Sequence, residues 1–119
     1  MSKKDLFFRK EQRLRKKRDF ENVFAESFKI SRFGLIVRFK RNQFSYSRLG
    51  MMIGKKSGNA VERNRIRRIL RESFRLYQQP ATVHYDILVT LYQNLKETDN
   101  LSISQSFTNI LDEISFKSK

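Results

Sequence analysis

The sequence contains no cysteine, no tryptophan, one proline, one histidine and four glycines among its 119 residues. Without cysteine, the chain has no disulfide, no thiolate metal site and no thiol nucleophile. No apolar run approaches the roughly 20 residues that a membrane span needs. The apolar residues Leu6, Phe7 and Phe8 are too few to form the core of a secretory signal. We therefore expect a cytoplasmic protein that does not engage a membrane.

Acidic residues are also scarce, because 12 Asp and Glu stand against 26 Lys and Arg, for a net charge of +14. Residues 1–18 carry nine basic and two acidic residues, and residues 55–75 carry eight and two. Residues 82–119 carry three lysines and five acids. The positive charge thus belongs to two segments, and a concentrated basic surface is typical of proteins that bind polyanions.

No group of residues suits protein-based catalysis or metal binding. His84 is the only histidine, and no positioned partner for acid–base work accompanies it in the sequence, so we interpret it as structural or surface-exposed. Asp86 is a single carboxylate, which does not make a cation site, and we expect Asp112 and Glu113 to be solvated on the outer face of a helix. We expect no catalytic residue and no metal ligand in this chain.

The length predicts one domain over residues 1–119, and its first 17 residues are expected to form a flexible basic arm. After the arm, Phe20, Val23, Phe24 and Phe28 have the spacing of a short amphipathic helix.

Three segments are typical of β-strands. The first two are Phe33–Lys40 and Arg48–Ile53, which we expect to be antiparallel to each other. The third, Tyr85–Tyr92, has an unbroken apolar run that favours a central position buried on both faces. A final helix follows a cap at Asp99 or Asn100, with an apolar stripe of Ile103, Phe107, Ile110, Leu111 and Ile114.

Between the second and third strands, the sequence GNAVERNRIRRILRESFR at 58–75 predicts a helix with six arginines and two glutamates. Asn59 suits the N-cap, with Glu62 three residues later, and the helix should end near 78–79, before Pro80. One arc carries Arg63, Arg67, Arg71 and Arg75, with Arg68 at its edge, and Lys55 and Lys56 extend the charge. The opposite arc carries Ile66, Ile69, Leu70, Ser73 and Tyr77, with Arg65 and Phe74 at the boundaries.

A solvated helix face normally mixes charges of both signs, because opposite pairs one turn apart stabilise the helix. Here Glu62 has only Arg65 within reach along the helix. Glu72 can compensate the charge of Arg68 or Arg75 only. The remaining positive charge favours phosphate as its partner, since guanidinium groups bind phosphate bidentately and stack on bases. A membrane surface is disfavoured because Ser73 interrupts the apolar arc that a single core needs.

The stretch from Lys55 to Glu72, centred on the Arg63-Asn64-Arg65 triplet, resembles the signature of the bacterial ribonuclease P protein subunit. The resemblance also covers Leu14 to Phe24, the predicted strands and the last helix. It implies an α/β sandwich of the α+β type, in which helices pack on a small, mostly antiparallel sheet. It further implies a left-handed βαβ crossover around the arginine helix, against the general rule for such units.

The resemblance implies a function as well. In this family a catalytic RNA, with bound Mg²⁺, hydrolyses the phosphodiester between the 5′ leader and the mature part of precursor tRNA. The protein, one per RNA, is not the catalyst and holds no cofactor alone. Carried over by position, the contacts to catalytic RNA would come from Lys55, Lys56, Arg63, Arg65, Arg67, Arg68 and Arg71. The contacts to the precursor tRNA leader would come from Phe20, Phe24, Arg38 and Asn64.

Three positions depart from the family pattern, and other functions remain open. Arg38 stands where some relatives carry a cleft tyrosine, Tyr92 where relatives often carry an arginine, and Ser27 where a turn glycine is frequent. Phe20 and Phe24 could instead be core residues, and the basic arm could act by electrostatic attraction alone. A ribosomal-type binding module is the main alternative function, and a protein-only nuclease, which would need clustered carboxylates, is the other.

Overall fold

The computed structural model describes residues 12–25, 27–77 and 83–117, with side chains described as far as residue 114. Three helices and four strands make up this part of the chain. The helices are α1 (Lys17–Ala25), α2 (Ala60–Leu76) and α3 (Asn100–Lys117), and a short 3₁₀ helix at Lys55–Ser57 precedes α2. The strands are β1 (Phe28–Arg32), β2 (Leu35–Arg41), β3 (Arg48–Met52) and β4 (Tyr85–Leu91). In the described residues, no helix is long and apolar enough to cross a membrane.

The strands form one mixed sheet in the order β1-β2-β4-β3. The β1–β2 and β2–β4 pairings are antiparallel, whereas β3 and β4 are parallel. The chain passes from β3 through α2 to β4, so these elements form a βαβ unit. The predicted α+β fold with a mostly antiparallel sheet is confirmed, and the left-handedness of the crossover stays a prediction.

The two sheet faces are covered by different helices. Alternate residues of the strands, including Val37, Leu49 and Val89, form the main core with α2 and α3. On the opposite face Leu88 packs with Leu14 and Val23, so a smaller core holds α1 against the sheet. Because β4 contributes buried residues to both faces, its predicted central position is confirmed.

Two local predictions for the first half of the chain are wrong. Phe28 does not belong to α1, which ends at Ala25; it starts β1, a strand that the sequence analysis missed. Its ring instead stacks on Phe39 across the strand pair, with the ring centroids 5.7 Å apart. The predicted strand start at Phe33 is also wrong, because Phe33 and Gly34 form the turn between β1 and β2, and both have positive φ. A tight two-residue hairpin favours such φ values.

The predicted relation of the first two strands is correct in direction but not in pairing. β3 runs antiparallel to β2, yet β4 lies between them. At the start of the described chain, Leu14 N–H donates to Leu49 O at 2.9 Å and the Leu14 side chain is buried. The end of the predicted arm is therefore held beside β3, while residues 1–11 lie outside the described residues.

The two long helices follow their sequence patterns. Asn59 caps α2 by accepting a 2.9 Å hydrogen bond from Glu62 N–H. The helix ends at Leu76, and the predicted end at 78–79 and Pro80 lie outside the described residues. In α3 the five residues of the predicted stripe are all buried. Asp99 precedes the helix and accepts from Ser102 N–H at 2.7 Å, so it is the predicted cap.

Candidate nucleic-acid interface

The α2 helix presents its arginines away from the core, because its buried residues occupy the opposite face. Those buried residues are Ile66, Ile69, Leu70, Ser73 and Phe74. Arg68 and Arg71 are exposed, whereas Arg63 and Arg67 are half-buried. An open depression of about 700 Å³ runs along this side of the helix, lined by Val61, Asn64, Arg65, Arg67, Arg68 and Arg71. The predicted division of α2 into a core face and a basic face is confirmed.

Arg65 differs from its neighbours because the protein itself uses all of its donor groups. Its Nη1 donates to Thr98 O at 3.1 Å and to Asn100 Oδ1 at 2.6 Å, and its Nη2 donates to Leu95 O at 2.8 Å. Its Nε donates to Glu62 at 3.3 Å. The guanidinium therefore ties α2 to the loop between β4 and α3, and its predicted RNA contact stays a prediction.

Two further arginines of α2 are partly occupied within the protein. Arg67 donates from Nη2 to Ile53 O at 3.0 Å and from Nη1 to Asn64 Oδ1 at 3.3 Å. Arg75 pairs with Glu72 at 2.6 Å. Since Glu72 is engaged by Arg75, it leaves the charge of Arg68 uncompensated.

Four other cations in and just before α2 have no acceptor within the described structure. In the described part of the chain, the side chains of Lys55, Lys56, Arg68 and Arg71 make no ion pair or hydrogen bond. Arg63 has a buried Nε atom without an acceptor, and a buried donor without a partner is costly. We call Lys55, Lys56, Arg63, Arg67, Arg68 and Arg71 the basic surface, and its charge is largely unbalanced by the protein.

A second candidate region lies between α1 and the sheet, where two of the predicted leader-binding residues meet. The Cζ atom of Arg38 on β2 lies 4.6 Å from the ring centroid of Phe24 on α1, a distance at which cation and ring attract. Phe24 is 43% exposed. The aromatic face beside Arg38 is therefore accessible to a ligand, and we call Phe20, Phe24 and Arg38 the α1 groove.

Phe20 and Phe24 are not equivalent, although both were candidates for either the core or a cleft. Phe20 is half-buried and packs against the cluster of Leu14, Val23 and Leu88. A Cβ atom at Gly50 would lie 2.9 Å from Cε1 of Phe20, which shows how closely this ring approaches β3. Phe20 supports the groove from below, and Phe24 presents the open ring.

Asn64, the fourth predicted leader-binding residue, lies on α2 beside Arg67 rather than in the α1 groove. It is exposed, and its side-chain oxygen accepts the bond from Arg67. Asn64 thus borders the basic surface.

Sequence reasoning missed the network around Arg48. This arginine makes a bidentate pair with Asp86, and Asn42 Nδ2 donates to the same carboxylate at 2.9 Å. The hydrogen bond with Asp86 is the largest of the effects that raise the pKa of Arg48 above its ordinary value. Because 38 residues separate Arg48 from Asp86, no local pattern could have revealed the pair.

The other two carboxylates that the sequence analysis considered also have partners within the protein. Asp112 is exposed and accepts from Tyr77 OH at 2.7 Å, whereas Glu113 is half-buried and pairs with Arg32. Glu113 is therefore less solvated than predicted. No cluster of three or more histidine, aspartate or glutamate side chains suited to a metal ion occurs in the described ranges.

The solved structures that resemble this chain include ribonuclease P proteins. The protein from Staphylococcus aureus matches with a TM-score of 0.78 and 30% identity, covering 87% of this chain and 94% of that chain. The protein from Thermotoga maritima matches with a TM-score of 0.76 and 32% identity, covering 85% and 96%. The arrangement of β-sheet, α1 and basic α2 is thus that of a known class of small α+β proteins.

The sequence comparisons identify the same class. The family model described as Ribonuclease P matches residues 8–115. A relative from Legionella pneumophila (strain Corby), the "Ribonuclease P protein component", is 39% identical over 108 residues, covering 90% of this chain and 92% of the relative. The chain belongs to the ribonuclease P protein family.

Proposed function

We propose that this protein is the protein subunit of a ribonuclease P ribonucleoprotein, one copy per catalytic RNA. It binds that RNA and the 5′ leader of precursor tRNA, and it assists the endonucleolytic removal of the leader in the cytoplasm. The observation that carries the proposal is the basic surface of α2, whose cations have few acidic partners in a chain of this family. Phosphodiester hydrolysis is assigned to the RNA subunit.

The basic surface suits a folded RNA. The Lys55 and Lys56 side chains precede α2, and Arg68 and Arg71 stand one turn apart along it, so the free charges follow the helix. An RNA backbone supplies phosphates at similar intervals, and arginine binds them bidentately. Arg65 would contribute mainly by holding α2 in place.

The α1 groove suits a single strand. An exposed phenyl ring next to a guanidinium offers one surface for a base and one for a phosphate. Stacking on an aromatic ring tolerates every base, since each base has a π-face. A groove of this kind would serve precursors whose leaders differ in sequence, with Asn64 contacting the leader where it approaches α2.

Mg²⁺ would be held mainly by the RNA. The carboxylates of the described residues that the sequence marked as candidates are engaged with Arg48, Tyr77 and Arg32, and they do not form a ligand set for a divalent cation. These three carboxylates therefore do not suit a resident metal ion. The basic surface instead brings positive charge to a complex of two polyanions, which lowers the repulsion between RNA and substrate.

The test is reconstituted leader cleavage. The purified protein is mixed with a bacterial ribonuclease P RNA and a precursor tRNA at low Mg²⁺ concentration, with RNA-only and protein-only controls. We expect cleavage in the mixture and little in either control. If the protein binds the RNA tightly but does not stimulate leader cleavage, a ribosomal-type binding module would be supported instead. Cleavage by the protein alone would support a protein-only nuclease.

Variants then test the basic surface. Charge reversal in Arg71→Glu should weaken assembly with the catalytic RNA, whereas Lys96→Gln, an exposed cation of the β4–α3 loop, serves as the control. Each phosphate contact contributes roughly 0.7–0.9 to the slope of log affinity against log salt. An Arg71→Glu protein with unchanged affinity and unchanged slope would remove this residue from the interface.

A further inference from the structure

The guanidinium of Arg48 joins three parts of the fold. From β3 it donates to both carboxylate oxygens of Asp86 on β4, at 2.8 and 2.6 Å. Its Nη1 atom lies 3.5 Å from Oδ2 of Asp19, in the first turn of α1. Phe44 covers it from outside, with Cζ 4.6 Å from the ring centroid. The Arg48 side chain is only 14% exposed, so this cation is used inside the protein.

The α1 helix needs such a tie because it is short and lightly anchored. It has nine residues, and Val23 is its only fully buried side chain among those described. Isolated helices shorter than about 12–15 residues are marginal in water, so tertiary contacts must fix its position. Val23 anchors the middle of the helix, and the ion pair of Asp19 with Arg48 anchors its first turn.

The position of α1 determines the geometry of the α1 groove. Phe20 follows Asp19 directly and packs close to β3 at Gly50. Phe24 lies one turn further on, where its ring meets Arg38 of β2. A rotation or lift of the first turn would move both rings, because a helix of nine residues responds as one rigid rod.

We propose that Arg48 is a positioning residue that locks the first turn of α1 onto β4 and thereby holds Phe20 and Phe24 in the position beside Arg38 of β2 that a single-stranded leader requires. The inference rests on the proposed function of the α1 groove. Arg48 does not contact the leader itself, since Asp86, Asp19 and Phe44 occupy its surroundings.

Asp19→Asn is the decisive variant. It removes the charge that α1 presents to Arg48 but leaves the bidentate pair with Asp86 intact, so the sheet remains supported. Arg48→Gln would break both contacts and leave Asp86 uncompensated, which endangers folding. Glu21→Gln is the matched control, because Glu21 is an exposed acid of the same helix that pairs only loosely with Lys17, at 3.8 Å.

The measurement is the affinity of the assembled holoenzyme for leader-bearing precursor tRNA and for mature tRNA. We expect Asp19→Asn to weaken precursor binding about three- to tenfold, within the range of couplings between contacting residues. Binding of mature tRNA, assembly with the catalytic RNA and the Glu21→Gln protein should be unchanged. If Asp19 served only the stability of the fold, Asp19→Asn would weaken precursor binding, mature tRNA binding and assembly with the catalytic RNA together.

A double-mutant cycle with Phe24→Ala separates the two proposals. If the Asp19–Arg48 pair acts through the α1 groove, the Asp19→Asn/Phe24→Ala protein should lose less precursor affinity than the two single variants lose together. Additive losses, or an Asp19→Asn protein that binds precursor normally while Phe24→Ala does not, would overturn the positioning role and leave the groove intact. A Phe24→Ala protein that distinguishes precursor from mature tRNA normally would overturn both.

Discussion

Replacing Arg65 by alanine should reduce the stability of the protein much more than its electrostatic attraction to RNA. Arg65 is one of six arginines in the sequence 58–75, but it alone donates to the carbonyl oxygens of Leu95 and Thr98. Without it, α2 and the loop that leads to α3 lose their connecting hydrogen bonds.

The magnitude follows from those contacts. A hydrogen bond from a charged donor contributes roughly 1.5–3 kcal/mol. The Arg65 side chain is 19% exposed, so water reaches the site and the low end of that range applies. Two carbonyl contacts then give a loss of about 3 kcal/mol in the free energy of unfolding. In a chain of this length 1 kcal/mol moves the Tm by about 4 °C, so the Tm should fall by about 12 °C.

The assay compares Arg65→Ala with Arg68→Ala, which removes an exposed arginine of the same helix that has no partner in the described structure. Thermal unfolding followed by circular dichroism gives the Tm, and RNA binding at several salt concentrations gives the slope. Arg68→Ala should change stability by no more than about 0.5 kcal/mol. Its salt slope should fall by roughly 0.7–0.9 for one lost phosphate contact.

The reverse pattern would contradict the roles given to Arg65 and Arg68. If Arg65→Ala keeps its Tm and loses salt slope, Arg65 contacts phosphate and the loop does not depend on it. If Arg68→Ala keeps its full salt slope, the free arginines of the basic surface are not where the RNA binds.

Three further predictions concern the groove, a turn and a cap. Gly50→Ala should lower stability by about 1–3 kcal/mol and weaken precursor binding, because the new Cβ would lie 2.7 Å from Leu14 Cβ and 2.9 Å from Cε1 of Phe20; denaturant unfolding and precursor affinity measure this. Phe33→Gly should raise the free energy of unfolding by about 1 kcal/mol, since Phe33 has φ 56°; thermal unfolding checks it. The hydrogen bond from Ser102 N–H lowers the pKa of Asp99, so its stabilising effect is present above the unfolded pKa and lost as pH falls through the folded pKa. Asp99→Asn, which keeps a good N-cap, should remove this acid-dependent loss in a pH series of Tm values.

Each of these three predictions can be contradicted by its own measurement. An unchanged Gly50→Ala protein would mean that Leu14 and Phe20 both move aside without cost. A less stable Phe33→Gly protein would mean that packing of the Phe33 ring stabilises the fold by more than its positive φ costs. An Asp99→Asn protein with the full acid-dependent loss would place the responsible carboxylate elsewhere.

The parts of the fold that the sequence predicted correctly depend on neighbours along the chain. In α2 the helical period separates arginines from apolar residues, and Asn59 and Glu62 are three residues apart, so both the faces and the cap follow from local spacing. The same holds for the stripe of α3.

Apart from the turn at Phe33 and Gly34, the errors occur where the partner is distant in sequence. Phe28 fits the helical spacing of Phe20 and Phe24, yet its ring stacks on Phe39 of the neighbouring strand. Likewise, the insertion of β4 between β2 and β3 depends on pairings such as that of Arg48 with Asp86. Local periodicity carries no information about such contacts, because the free energy that decides them comes from packing across the sheet.

The sequence by itself determined that one face of α2 would be rich in arginine, since the positions of the arginines and the helical period are sufficient to place them on one side. Only the tertiary structure decided which cations remain free. It brings the carbonyl oxygens of a later loop to Arg65, and the carboxylates of β4 and α1 to Arg48, while Arg68 and Arg71 face outward. The physical reason is that a guanidinium is satisfied by whichever acceptors the fold places within about 3 Å, and those acceptors come from residues far away in the chain.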